Sequence, residues 1–272
     1  MTKTQDIKNS DDLQKIIISK VGINDICAYN EMVHIYSLKN HFVGKSYTTP
    51  YFNKPEALQK KQKWEYSINK YGFRGADWTF EKSPAFFGCS FTFGSGVEVP
   101  ISEHVAKALG IKVIPNLGVA GGGVVNIIKI FAAFTNIHPL SDAIIILPHL
   151  SRKYLPSYDT QVGWRHQNYL GGFVRDDKKR YKQVMNVLND NFDISYSSDY
   201  IDWAIEIAKN KNINLHWATW SDDTASLLKA KEVSYFMWNT VDSARDLYHP
   251  GIESHKLTAK TIIDRLSNKD QI

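Results

Sequence analysis

The chain predicts a three-layer α/β fold, with helices on both faces of a mainly parallel five-stranded sheet. Three observations carry this reading. From Pro84 onward, short apolar runs alternate with amphipathic helical patterns, an alternation that requires crossover connections and parallel strands. Ile144-Ile145-Ile146-Leu147 is an unbroken apolar run led by β-branched residues, the signature of a strand covered on both sides. Small residues follow the apolar runs abruptly, at Gly88 to Gly96 and at Gly118 to Gly123, and mark tight turns at strand ends.

In chain order, residues 11–21 carry Leu13, Ile16, Ile17 and Val21 at helical spacing behind Ser10 as a cap, which predicts a short surface helix. Residues 47–78 are aromatic and irregular, broken by Pro50 and Pro55. The basic cluster Lys60, Lys61 and Lys63 lies beside Trp64, Tyr66 and Tyr71. Such a cluster is read as a solvated face rather than a nucleic-acid platform. Residues 1–80 are therefore expected to form an N-terminal extension packed on a main domain at 81–272.

Within the main domain, strands are expected at 85–88, 112–115, 143–147, 213–217 and 235–238. Helices are expected at 97–109, 124–134, 179–188, 199–209 and 254–266. The segment 151–180 breaks the rhythm: it is long, polar and aromatic, with Gly171-Gly172 as a hinge. It reads as an irregular lid over a pocket, or equally as a loop packed on a partner subunit.

Composition excludes several classes. With 272 residues and 43% hydrophobic content, one sizeable core can be buried. Cys27 and Cys89 are the two cysteines and lie far apart, against a secreted disulfide scaffold. No stretch approaches the roughly twenty apolar residues of a membrane span, and the first residues lack a signal-like apolar core. A net charge of +5 with dispersed lysines does not point to nucleic acid. These features predict a soluble protein of a reducing cytoplasm, and they leave the oligomeric state open. No His, Cys, Asp and Glu set has zinc spacing, so neither metal nor cofactor is expected.

The chemistry is expected at two remote places. Ser90 sits where the first strand turns, at the end of the sheet where open α/β folds bind ligands. Near the other end, Asp246 precedes His249 by three residues in a loop closed by Pro250 and Gly251. An acid so placed can hold the imidazole Nδ1 and leave the other nitrogen for a serine proton. Gly118 to Gly123 could instead cradle a phosphate through backbone amides, but the spacing is not Gly-x-Gly-x-x-Gly and no P-loop lysine follows. His34, His41, His104, His138, His166, His216 and His255 are read as structural or surface residues, and Cys89 as a small core residue.

Taken together, these blocks resemble the SGNH (GDSL-type) hydrolases over about Pro84 to the C-terminus. Gly88-Cys89-Ser90-Phe91-Thr92-Phe93-Gly94 is similar to the family's first block, with Cys89 where an Asp is usual. Asn116-Leu117-Gly118-Val119-Ala120-Gly121 is similar to the second, with Gly121 at the amide-donor position. In the third block, Ser151 stands where the family carries its oxyanion-hole Asn, and Arg152 where it carries Asp. Asp246 to His249 matches the fourth, and Asn69-Lys70-Tyr71-Gly72-Phe73-Arg74-Gly75 is similar to a lead-in of some bacterial members, which implies a stretch beside the first strand that walls the cleft.

The resemblance implies a flavodoxin-like fold and a serine esterase without cofactor. Ser90 is the implied nucleophile, His249 the base and Asp246 its orienting acid. Gly121 and Ser151 are the implied oxyanion donors, Ser151 as a hydroxyl that must be aimed and His149 as a substitute. His149, Arg152, Tyr154 and Trp164 are expected at the substrate, a small-molecule, carbohydrate or lipid ester. The departures at Cys89, Ser151 and Arg152 also suit a non-catalytic binding module, and a water-excluding lid would suit an O-acyltransferase.

Overall fold

The computed structural model describes residues 67, 69, 73–79, 81–119, 121–159, 163–169, 190–244 and 249–267, with the side chains of 153–159, 163–169 and 190–193 left aside. The expected helices at 11–21 and 179–188, the Gly171-Gly172 hinge and nearly all of the extension lie outside these residues. In chain order the elements are β1 (Ser83–Gly88), α1 (Ser90–Phe93), α2 (Ile101–Leu109), β2 (Asn116–Gly118), α3 (Val124–Phe134) and β3 (Leu140–Leu147). They continue with β4 (Lys153–Asp159), β5 (Gly163–Tyr169), α4 (Asp190–Lys211), β6 (Asn214–Thr219), α5 (Asp222–Ala230), β7 (Tyr235–Met237) and α6 (Ile252–Ser267).

Five strands form one sheet in the order β2-β1-β3-β6-β7, and every pairing is parallel. This is the flavodoxin-like order, whose direction of winding reverses between β1 and β3. The apolar runs at the centre explain the layers. Alternate residues of one strand face opposite sides, so Phe86, Ile144 and Ile146 pack with Ile101 and Val105 of α2 and Ile262 and Leu266 of α6. Phe87, Ile145 and Leu147 pack on the other face with Ile127 and Phe131 of α3 and Ile201 of α4. All six strand side chains are fully buried.

Among the differences from the sequence expectation, three shifted boundaries and one unexpected helix each have a local reason. β2 occupies 116–118 rather than 112–115, because Pro115 has no N–H to give the ladder; its carbonyl accepts from Phe86 N instead, at 2.9 Å. α2 begins at Ile101 rather than 97, since Pro100 at φ −74° and ψ 165° is extended and holds the residue before it out of the helical region. α4 begins at Asp190 rather than 199, its first turns hidden by Asp, Asn and Ser residues that are poor helix formers. Packing supplies what propensity lacks there, as Tyr196 and Tyr200 close on Val125 of α3. Helix α5 has no counterpart in the sequence expectation, its polar opening Asp222-Asp223-Thr224 carrying no apolar period.

The irregular lid is corrected too. Residues 153–159 and 163–169 form a regular antiparallel ribbon, β4 with β5, paired from Lys153↔Tyr169 to Asp159↔Gly163. Tyr154, Tyr158, Trp164 and Tyr169 favour strands, while Pro156 interrupts the pattern that would have announced one.

His255 of α6 is completely buried, and neither ring nitrogen has a hydrogen-bond partner among the described residues. Burial, reinforced by the Arg74 charge, pushes its pKa down to about 3. The unfolded chain therefore takes up the proton first. The stability this neutral ring supports is complete above pH 6.5 and is lost as the pH falls from there toward 3. At pH 4.5 the loss amounts to roughly 2–3 kcal/mol. Urea midpoints compared at pH 7.5 and 4.5 should show His255→Leu losing less stability on acidification than the parent; an identical loss in both would refute the assignment.

Candidate active site

The site begins with the end of β1. Gly88 closes the strand where a Cβ would overlap Thr92 Oγ1 and lie 2.9 Å from Ile146 O, so no larger residue lets the chain turn there. Cys89 follows in an extended conformation as N-cap, and Ser90 opens the single turn α1. Gly94 at φ +79° ends that turn, its N–H reaching Ser90 O and Phe91 O. Ser90 is buried, as is Cys89 with its free thiol. The register Gly88↔Gly118 and Gly88↔Ile146 puts this turn between the ends of β2 and β3.

Two side chains fix α1. Asn116 Nδ2 donates to Thr92 O at 2.9 Å and to Ser102 Oγ at 3.1 Å, while its Oδ1 accepts from Gly118 N at 3.0 Å. The Asn of the second block thus ties β2, α1 and α2 together. Arg74, 3% exposed, aims its guanidinium at the carbonyls of Phe93 (2.9 Å), Gly94, Val97 (2.7 Å) and Glu98 (2.7 Å). It also lies 5.5 Å from the Phe93 ring centroid. The expected cleft wall is, at this residue, a clamp on the backbone that follows the Ser90 turn. Truncating one partner of a buried charged network leaves the others unsatisfied, so Arg74→Met should lower stability by about 3 kcal/mol in urea denaturation. Arg74→Lys should recover only part, because an ammonium cannot span four carbonyls as the planar guanidinium does.

Beside Ser90, an aromatic group that sequence reasoning missed joins the two candidate histidines. The Phe91 ring stacks on Trp220 at 4.8 Å and meets Trp238 edge-on at 5.5 Å. His249 stands against Phe91 at 5.9 Å, and His149 against Trp220 at 4.4 Å. The fold thus brings His249 to Phe91, the residue after Ser90, across 158 positions of chain. No hydrogen bond joins Ser90 to His249 among the described residues. Asp246 lies outside the described residues.

His149 has its own support, at the end of β3. Its Nδ1 is 2.5 Å from Ser221 Oγ and 3.5 Å from Asp223 Oδ1, and Ser221 Oγ donates to the same Asp223 oxygen. Leu150 N donates to Asp223 Oδ2 at 3.0 Å and Thr224 N to Oδ1 at 2.7 Å. Burial opposes the Asp223 charge, but these hydrogen bonds outweigh it and hold the carboxyl below its usual range. Ser221 and Asp223 give no sequence signal, since they become neighbours of His149 only when β6 pairs with β3.

The turns that carry the expected oxyanion-hole residues Gly121 and Ser151 meet through their neighbours Gly122, Gly123 and Arg152. Gly121 adopts φ +79° in open space, so its glycine is required by conformation rather than crowding. At Gly123 a Cβ would overlap Arg152 O, and Arg152 Nη1 donates to Gly122 O at 3.3 Å. The turn that carries Ser151 and Arg152 therefore rests on the glycine turn. Ser151 is exposed, and Arg152 lies 5.2 Å above the Trp220 ring. Tyr154 pairs in register with Asn168, and Trp164 with Tyr158, in the ribbon that leaves this edge; their side chains lie outside the described set.

Among the described residues, no group of His, Cys, Asp and Glu is arranged to hold a metal ion, and no helix is long and apolar enough to cross a membrane. No family model matches the sequence, and no curated protein matches it significantly. Solved structures with a similar fold include a GDSL-like lipase of Bacteroides thetaiotaomicron, 14% identical, covering 68% of this chain and 89% of its own at TM-score 0.40. A lipase/acylhydrolase of Enterococcus faecalis is 11% identical, covering 70% of this chain and 97% of its own at TM-score 0.43. A family 3 carbohydrate esterase of Clostridium thermocellum is 12% identical, covering 69% and 99% at TM-score 0.43. With TM-scores below one half, these likenesses have no bearing on the chemistry of the site.

Proposed function

We propose that the chain is a serine hydrolase that cleaves an ester through an acyl-enzyme on Ser90. The observation that carries this reading is the convergence at the end of β1. A serine on a turn held by Asn116 and Arg74 shares an aromatic wall with a histidine drawn from the far end of the chain. His249 takes the Ser90 proton as Oγ attacks the ester carbonyl, and Asp246 orients and stabilises the imidazolium. Backbone amides of Ser90 and the Gly121 turn, with the Ser151 hydroxyl, receive the charge on the tetrahedral oxygen. Water then releases the acid. The serine–imidazole hydrogen bond of such sites is often long without substrate and closes in the complex.

The substrate fits a carbohydrate or other small-molecule ester, because the ribbon beside the site is rich in Tyr and Trp, the side chains on which sugar rings pack. Exposure to a fluorophosphonate tests the chemistry, since an activated serine alone reacts. Labelling of the parent that disappears in Ser90→Ala supports the hydrolase. An unlabelled parent points instead to a binding module that keeps the fold.

A further inference from the structure

We propose that His149 is a second acid–base residue of the same reaction, acting on the leaving and entering oxygens while His249 serves Ser90. This proposal rests on the serine-hydrolase reading above.

The proton positions follow from counting. Asp223, held in its charged form, accepts only, and its Oδ1 takes the single hydroxyl proton of Ser221. Ser221 Oγ can then only accept from His149, so Nδ1 carries a proton. The chain His149 Nδ1–H to Ser221 Oγ–H to Asp223 is an acid–imidazole pair with one hydroxyl interposed. It fixes the tautomer and leaves Nε2 for chemistry. A histidine of merely structural role would have both nitrogens engaged or buried. Here the side chain is 49% exposed, and no hydrogen bond to Nε2 occurs among the described residues.

Position agrees with the role. His149 follows the end of β3, the strand that pairs with β1 on the side of Ser90. It abuts Trp220, which stacks on Phe91, so the two imidazoles stand at the two ends of one aromatic pair. A substrate carbonyl at Ser90 would have one imidazole near the nucleophile and the other near the opposite substituent. The reaction then balances. In acylation Ser90 Oγ bonds to the carbonyl carbon and passes its proton to His249. The carbon–alkoxide bond breaks as the His149 imidazolium gives its Nε2 proton to the departing oxygen. In deacylation neutral His149 takes a proton from the attacking water, and His249 returns its proton to Ser90 Oγ. Both histidines end as they began.

General acid–base help matters for a poor leaving group and much less for a good one. In His149→Gln the ratio of alkyl-ester to nitrophenyl-ester kcat/KM should fall about 100-fold. Fluorophosphonate labelling, whose fluoride needs no protonation, should persist. Ser221→Ala and Asp223→Asn should shift the ratio in the same direction. The relay has a readout without any substrate: once the ring is neutral, at alkaline pH, nitrogen NMR should show His149 as the Nδ1–H tautomer in the parent, a preference lost in Ser221→Ala. An unchanged ratio with labelling intact, or an Nε2–H tautomer in the parent, would overturn the proposal for His149 alone. Absence of labelling in the parent would instead remove the serine-hydrolase reading beneath it.

Discussion

Ester turnover by Ser90→Ala should fall by roughly 10⁴-fold or more, because the nucleophile and its base act as a unit and the loss of either removes nearly all of their joint effect. No neighbour can substitute. Cys89, the N-cap of α1, is fully buried. The fold should not change with it. No hydrogen bond to the Ser90 hydroxyl occurs among the described residues, whereas its backbone carbonyl accepts from Gly94 and Ser95 at 2.9 and 3.0 Å and is kept in the variant. The urea midpoint should therefore shift by less than about 0.5 kcal/mol equivalent. Full turnover in the variant with an unshifted midpoint would end the nucleophile assignment.

The second large effect concerns a residue with no chemistry of its own. A Cβ on Gly118 would stand 2.7 Å from Phe93 Cα and from the Thr92 carbonyl carbon, and closer still to the Phe93 nitrogen. All of these atoms are backbone and cannot rotate away. Either β2 leaves its register with β1 or the α1 turn moves, and both share the Asn116 hydrogen bonds. Gly118→Ala should cost about 3 kcal/mol in chemical denaturation. What folded protein remains should lose turnover as well, since the displaced turn carries Ser90. Gly121→Ala is the comparison: nothing lies within 4 Å of its Cβ, and the cost there should be limited to the left-handed φ, about 1 kcal/mol. Equal stabilities for the two variants would show that the β2–α1 approach is looser than described.

What could be read from the sequence follows from how far each signal reaches. β3 and β6 were legible because apolar and β-branched residues cluster over a few positions, and the Ser90 turn because glycines and serines punctuate it. The prolines at 100 and 115 moved boundaries by a few residues, since a missing N–H acts on the ladder rather than on the apolar pattern. Arg74 was legible only as part of a wall. Its partners lie some twenty positions ahead and are backbone carbonyls, to which no residue type corresponds. The Phe91–Trp220 stack and the His149–Ser221–Asp223 relay span seventy positions or more, and exist only once β6 has docked on β3. Side chains of a site are found in sequence when one loop holds them, as at Gly88 to Gly94. They are missed when strand order alone brings them together.

That strand order has a consequence for the chain while it is being made. β1 lies inside the sheet, yet both strands that flank it are synthesised later, and of the two helices packed with its Phe86 face, α2 and α6, the second comes more than 150 residues after it. During synthesis Ala85-Phe86-Phe87 thus has two open edges until β2 emerges at Gly118 and one until β3 ends at Leu147, a segment inviting nonnative pairing and chaperone capture. On the proposed function the same delay would keep the Ser90 hydroxyl inert: His249 follows the end of β3 by more than a hundred residues, so a truncated product would carry the serine without the proposed base.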